Sequence, residues 1–181
     1  MNTTYEIDSA HSHVNFSVRH LMVSNVRGSF TGVKGSVIYD PENPGATVVQ
    51  ATIDTNTIHT GDEKRDGHLK SADFLDVAKY PTITFKSTKV EKVARQEFKV
   101  TGNLTIHGVT KPAVLDVHEL SGETKDPWGG TRIGASAKTK IKRGEFEVNW
   151  NAALEAGGVM IGDEVKLDFE LEFVKAQTAT A

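Results

Sequence analysis

The chain contains no cysteine, which excludes disulfide bonds, thiolate catalysis and metal centres held by cysteine ligands. It also lacks a run of about 20 apolar residues, the length that a transmembrane helix requires. Long blocks of lysine and arginine are missing too, and the formal net charge is only −3, so nucleic acid is a poor guess as a partner. Residues 1–8 offer neither the basic nor the apolar segment of a secretory signal, so we expect a cytoplasmic protein unless the chain is a trimmed precursor.

The length and composition are those of one folded domain. With 181 residues, 38% of them hydrophobic and 25% charged, the chain is long enough to bury its own core and shows no bias towards disorder. We therefore expect a single domain over residues 1–175. A flexible tail is expected over residues 176–181, because the sequence AQTATA is small and polar at the end of the chain.

Alternation of apolar and polar residues is the dominant pattern. It is clear in residues 14–20, and in residues 165–175 every second side chain from Val165 to Phe173 is apolar. Because successive side chains of a strand point to opposite faces, each segment predicts a half-buried strand. Further strands are predicted within residues 26–39, 47–54, 82–88, 97–108, 111–120 and 131–141. Roughly eight or more strands with short connections predict an all-β fold, either an antiparallel barrel or a sandwich.

Two segments interrupt the strand pattern. Residues 60–76 are polar and predict one or two helical turns, with Thr60 as the N-cap and Glu63 as its capping-box partner. Gly67 argues against a long helix there. Residues 153–164 are rich in glycine and predict a loop.

Three histidines, His11, His13 and His20, lie within ten residues. In a strand, His11 and His13 share a face and could chelate a metal ion, whereas His20 has the opposite parity. Zinc generally needs three or four protein ligands, and no further ligand with a recognisable spacing is present, so we predict a polar strand face and no metal. A metal-assisted enzyme that combines these histidines with the acids of residues 65–76 remains an alternative.

A cluster of charged side chains occupies the irregular segment, at Arg65, Asp66, His68, Asp73 and Asp76. Turns without regular helix need side-chain hydrogen bonds to satisfy their backbone groups. We therefore predict a mainly structural role for this cluster. Neither the HExxH motif of zinc peptidases nor the GxSxG motif of serine hydrolases is present, and no catalytic residue is assigned.

The centre of an eight-stranded barrel is either filled by side chains or enlarged into a cavity. Small inward residues are mixed with phenylalanines, at Ala51, Gly102, Ala135 and Ala137 and at Phe16, Phe85, Phe98 and Phe169. This composition leaves both outcomes open, including a filled barrel that acts through its surface. An apolar cavity would suit a long hydrocarbon, since each buried five-carbon unit gains roughly 3 to 4 kcal/mol at about 0.8 per carbon.

Four long segments carry the motifs of a known family. They read IDSAHSHVNFSVRHLMVSNVRGSF (7–30), TIHTGDEKRDGHLKSADFLDVAKYPTITF (57–85), GNLTIHGVTKPAVLDV (102–117) and IGDEVKLDFELEF (161–173). In this order they resemble the YceI-like family of polyisoprenoid-binding proteins, including its R-D-x-H-L-x-S-x-D-F core at residues 65–74. The chain departs from the family at Glu147, where glycine is common. The mouth of the lipid-binding tunnel that the family resemblance implies is therefore expected to differ in this chain.

The resemblance implies an eight-stranded, lipocalin-like, extended antiparallel β-barrel with one or two short helices. It implies a tunnel that binds an isoprenoid lipid, either a polyprenyl chain or a quinone tail, for transport, storage or sequestration. It further implies a homodimer and a binding protein in place of an enzyme, with no cofactor other than the lipid itself and no metal.

Parity, aromatic content and the family resemblance together select the residues expected to contact the lipid. The expected tunnel wall comprises Phe16, Val18, Phe30, Phe74, Phe85, Leu104, Ile106, Ile141, Phe146, Trp150, Leu154 and Met160. His20 and Arg65 are expected to make polar contacts near an entrance.

Overall fold

The computed structural model describes residues 2–177, so residues 178–181 of the predicted tail lie outside the described part. Its strands are β1 (Thr3–Ile7), β2 (His13–His20), β3 (Ser24–Phe30), β4 (Val33–Tyr39), β5 (Val48–Asp54), β6 (Thr82–Ala94), β7 (Glu97–Ile106), β8 (Val109–Leu120), β9 (Thr124–Lys125), β10 (Thr131–Lys142) and β11 (Ile161–Lys175). The one α-helix in these residues is α1 (Glu63–Lys70), and short 3-10 helices span Pro44–Ala46, Thr55–Thr57 and Arg143–Phe146.

The sheet closes into a barrel because β10 pairs with β11 along nearly its whole length, from Arg132 opposite Val174 to Lys142 opposite Glu164. The closed ring runs β11, β1, β4, β5, β6, β7, β8, β10 and back to β11, and the pairs are antiparallel. Strand β2 of the β2–β3 hairpin pairs with the first two thirds of β11, from Ile161 to Glu170, while β1 pairs with its end. The prediction of a closed, eight-stranded antiparallel barrel is confirmed.

The barrel wall follows the sequence alternation closely. In β7 the even-numbered residues from Phe98 to Ile106 are buried, while the odd-numbered ones are more exposed. Gly102 belongs to this buried set because the ring of Phe85 lies over it, and a Cβ on Gly102 would come within 2.5 Å of the Phe85 ring. Gly28 is covered by Phe16 in the same way. Two glycines that weaken their strands are therefore used to seat aromatic rings at the barrel wall.

Some predicted boundaries are wrong. Strand β6 continues to Ala94, six residues past its predicted end, and β8 begins at Val109. The turn between β7 and β8 is two residues long, because His107 and Gly108 both adopt left-handed backbone angles, with φ of 51° and 76°. Pro112 lies inside β8 at a point where β10 does not pair with that strand.

The helix exists, but its predicted cap is wrong. The N-cap of α1 is Asp62, whose carboxylate accepts a hydrogen bond from the Arg65 amide at 3.0 Å. Thr60 instead donates its amide and hydroxyl to Asp66, and no capping box with Glu63 forms. The sequence pattern alone does not show which of Thr60 and Asp62 is the N-cap, because threonine and aspartate both cap helices well. The loop expected over residues 153–164 ends earlier, where β11 begins.

The two ends of the barrel differ. Most buried side chains belong to one core cluster inside the barrel, but Tyr5, Ile133 and Phe173 form a second cluster where β10 begins and β11 ends. The Tyr5 hydroxyl donates to Glu123 at 2.6 Å, and burial, with this carboxylate, raises the pKa of Tyr5. This second cluster closes one end, which we call the plugged end. No helix in residues 2–177 is long and apolar enough to cross a membrane.

Candidate functional site

The barrel encloses an apolar cavity of about 340 Å³. This volume falls in the range of roughly 300–1,000 Å³ typical of small-molecule sites. The surrounding side chains are mostly aliphatic and aromatic, and polar ones are few. The structure thus differs from the alternative of a barrel whose centre is filled.

Strand β11 shows the direction in which the cavity extends. Its inward residues from Ile161 to Phe173, apart from Asp163, all line the wall. The lining therefore follows nearly the whole of β11, and the cavity is elongated along this strand.

The structure brings together all but one of the residues predicted for the tunnel. The cavity is lined by Phe16, Val18, His20, Phe30, Arg65, Phe74, Phe85, Leu104, Ile106, Ile141, Phe146, Trp150 and Met160. Leu154 is not among the lining residues, because it begins a separate turn closed by its amide and the Gly158 carbonyl at 3.2 Å. Contact of these side chains with a ligand remains a prediction.

The wall also contains residues outside the predicted tunnel set. Those on strands include Val14, Ile53, Ile83, Val165, Leu167, Leu171 and Phe169, the last of which the sequence had already placed among the inward residues. The others share the parity of an inward residue on their own strand, namely Phe16, Ala51, Phe85 or Phe169, so strict use of the alternation would have found them. Ile58, Leu69 and Leu75 come from the irregular segment between β5 and β6, where no strand period exists to place them.

Arg143 supports the end of the cavity opposite the plugged end. Its guanidinium donates to the carbonyls of Val148 at 2.8 Å, Trp150 at 2.9 Å and Gly162 at 3.0 Å. Burial lowers the pKa of this group. The hydrogen bonds tie the segment after β10 to the beginning of β11, and so fix the position of Trp150 in the cavity wall. The sequence carried no signal for this role of Arg143.

Aromatic rings from α1 and its neighbours complete this end. The His68 ring lies edge-on to Phe74 at 4.9 Å and to Trp150 at 4.8 Å, and its Nε2 contacts Asp73 at 2.8 Å. Arg65 donates its Nε to the Thr60 hydroxyl at 2.7 Å. Helix α1 thereby contributes Arg65, His68 and Leu69 to the cavity wall, and the segment before the helix is bridged to β3 by Ser29 and His59.

The charged cluster predicted at residues 65–76 does not converge on one point. Buried Asp66 accepts hydrogen bonds from the Thr60 amide at 2.8 Å, the Thr60 hydroxyl at 2.5 Å and His59 at 3.1 Å. Burial raises the pKa of Asp66, but these hydrogen bonds outweigh it, and the pKa lies below its ordinary value. His68 pairs separately with Asp73. The contacts agree with the structural role predicted for the cluster.

The three histidines are separated, as their parity predicted. His20 lies in the cavity wall, whereas His13 is exposed on the outer face. Within residues 2–177, one group of three potential ligands lies close enough to hold a metal, namely Asp8, His11 and Glu172. The Arg132 guanidinium already donates to Asp8, at 2.7 Å, and to Glu172, so a cation occupies the position between these carboxylates.

Three comparisons with known proteins agree with this architecture. The family model described as YceI-like domain matches residues 5–173. Protein YceI of Salmonella newport (strain SL254) is 46% identical over 146 residues, which cover 80% of this chain and 75% of that protein. The structure of BcnA from Burkholderia cenocepacia matches with a TM-score of 0.80 and 24% identity, over 92% of this chain and 98% of its own.

A further match is a polyisoprenoid binding domain from Saccharophagus degradans. Its TM-score is 0.68 and its identity 20%, over 96% of this chain and 99% of that domain. At these identities, the two structural matches establish a shared fold.

Proposed function

The chain belongs to the YceI-like family, and we propose that it binds an isoprenoid lipid inside its barrel, either a polyprenyl chain or the tail of a quinone. The observation that carries this proposal is the elongated apolar cavity of about 340 Å³, plugged at one end. The likeness to a polyisoprenoid binding domain supports isoprenoids as the class of ligand.

The wall suits a long hydrocarbon better than a compact polar molecule. Burial of each ligand carbon gains about 0.8 kcal/mol, so a few five-carbon units exceed the roughly 8 kcal/mol of micromolar binding before ordering costs are subtracted. Such a wall selects by length and bulk. Since the ligand is held without covalent chemistry, its release is reversible, which fits transport, storage or sequestration.

A binding role fits a wall in which polar side chains are few and the two arginines are engaged in structural hydrogen bonds, Arg143 with four backbone carbonyls and Arg65 with Thr60. His20 and the His68–Asp73 pair are the groups at the cavity on which a catalytic role would depend. The homodimer and the cytoplasmic location remain predictions from the sequence.

The proposal is tested by native mass spectrometry of the purified protein and by titration after delipidation. We expect one bound isoprenoid per chain, and uptake of a polyprenol in preference to a straight-chain alcohol with the same number of carbons. A protein that is purified without lipid and also fails to take up polyprenol would contradict the proposal.

A further inference from the structure

The turn between β2 and β3 carries large apolar side chains that face solvent. Leu21 is 39% exposed, Met22 61% and Val23 76%, and Val159 in the neighbouring loop is 44% exposed. The two segments are in contact, since the Leu21 amide donates to the Met160 carbonyl at 2.7 Å. We call Leu21, Met22, Val23 and Val159 the tip patch. Single exposed apolar residues are common, but three in one turn with a fourth in the adjoining loop require an explanation.

The backbone of this turn is unfavourable for these residues. The Val23 amide donates to the His20 carbonyl at 3.1 Å, and the two central residues, Leu21 and Met22, have φ of 51° and 59°. A turn with two left-handed central residues strongly prefers asparagine and glycine. The chain instead places two bulky apolar side chains there, where they contribute little to the core. Strain of this kind is often associated with function.

The tip patch adjoins the cavity at the end opposite the plug. His20 and Met160, which flank the patch, both line the cavity wall. Pairing of Ile161 with His20 places the tip at the beginning of β11, whereas the plugged end lies where β11 finishes. An apolar ligand that leaves or enters the barrel at this end passes beside these exposed side chains.

Cationic side chains accompany the patch. Arg19 holds the turn through a hydrogen bond from its Nη2 to the Met22 carbonyl at 3.1 Å. Arg27 shares the outer face of the hairpin with Arg19 and is also exposed. The exposed acids nearby are Glu155, Asp163 and Glu164, of which Asp163 accepts from the Gly144 amide and Glu164 pairs with Lys140. An apolar tip with Arg19 at its turn and Arg27 further along the hairpin favours anionic lipid surfaces, since buried apolar area and charge attraction add.

We propose that the tip patch inserts into the surface of a bilayer containing anionic phospholipids and holds the end of the barrel opposite the plug against it. The docking itself is independent of the cavity ligand. Only the consequence, exchange of lipid between the bilayer and the barrel, rests on the proposed function. A patch of four apolar side chains, three of them in one turn, suits insertion among headgroups better than the larger contact that a stable dimer needs.

The test measures binding of delipidated protein to vesicles of phosphatidylethanolamine and phosphatidylglycerol by co-sedimentation. The double substitution Leu21→Asn with Met22→Gly supplies the residues that the turn prefers, so we expect its thermal midpoint to be unchanged or higher. We expect vesicle affinity to fall at least about 10-fold, because two inserted apolar side chains are lost. Val23→Ser, which leaves the turn intact, is expected to weaken binding in the same direction.

The matched control is Trp128→Ser, which removes an even more exposed apolar side chain, 86% exposed, near the plugged end where β10 begins. We expect it to bind vesicles as the wild type does. Equal losses in the control and the tip variant, vesicle binding unaffected by the tip substitutions, or no binding by the wild type would each overturn the docking proposal. A wild-type dimer that becomes monomeric in the tip variant, without a change in vesicle binding, would identify a subunit interface instead and equally overturn it.

Polyprenol affinity in the absence of vesicles separates the two proposals. The tip residues do not line the cavity, so we expect the tip variant to retain the wild-type Kd for dispersed polyprenol. Loss of vesicle binding with unchanged polyprenol affinity supports docking. If neither the wild type nor the tip variant binds polyprenol, but vesicle binding depends on the tip patch, the proposed function fails while the docking proposal stands.

Discussion

Replacing Leu167 with tryptophan narrows the cavity near its middle. Leu167 lies on the inner face of β11, directly between Phe16 of β2 and Thr139 of β10, and all three line the cavity. The indole group exceeds the leucine side chain by about six non-hydrogen atoms, which displace about five carbons of a bound chain. At about 0.8 kcal/mol per carbon, the ligand loses up to about 4 kcal/mol of burial.

A loss of about 4 kcal/mol corresponds to a nearly 1,000-fold higher Kd. Because a flexible chain recovers part of this by shifting along the barrel, we expect the Kd of a polyprenol to rise at least about 10-fold. Stability should not fall in parallel, since the added ring occupies empty space, and the thermal midpoint of the delipidated protein is expected to stay close to that of the wild type.

Displacement of a fluorescent lipid measures the Kd, and calorimetry measures the thermal midpoint. Lys166→Trp is the matched control, because its side chain points outward on the same strand and should leave the Kd unchanged. If the Leu167→Trp protein binds polyprenol within about twofold of the wild type, the ligand does not lie in the barrel and the reasoning is refuted.

Three further substitutions test the charged groups. Arg132→Met removes the main cause of the lowered pKa of Asp8, which is about 2 against an ordinary 3.8. A carboxyl group with a lowered pKa stabilises the folded state above pH 3.8, and this stabilisation is lost as the pH falls towards 2. Urea melts should therefore show the free energy of unfolding of the wild type falling between pH 3.8 and pH 2, with a smaller fall in the variant. Arg143→Met leaves three carbonyls without their donor and should lower the free energy of unfolding by about 3 kcal/mol in the same assay, and an unchanged value would exclude the bracing role. Asp66→Asn should lower the free energy of unfolding by about 1 to 2 kcal/mol and leave the polyprenol Kd unchanged. Loss of polyprenol binding at unchanged stability would instead give Asp66 a functional role.

Most of the barrel could be predicted from the alternation of apolar and polar residues in the sequence. In β2 and β11 the inward face could be assigned residue by residue, so Phe16, Val18 and the set from Val165 to Phe173 were placed correctly on one face. This works because a strand repeats every two residues and a barrel has one apolar side. The same logic separated His20 from His13.

The remainder depended on geometry that no short pattern encodes. The sequence did not show whether small residues such as Gly102 leave space inside the barrel. In the structure the Phe85 ring fills the space over Gly102. Asp62 is the helix N-cap because Thr60 forms hydrogen bonds to Asp66 across the loop instead of capping the helix. Leu154 has a suitable side chain, but its local turn keeps it out of the cavity wall.

The most direct test of the account is to observe intermolecular NOEs between a polyprenol and methyl groups of leucine and valine labelled with carbon-13. We expect contacts from Leu104, Leu167 and Leu171, which line the cavity, and none from Val93 or Val114, which are 58% and 43% exposed. NOEs confined to the exposed methyl groups, with none from the cavity wall, would contradict binding inside the barrel.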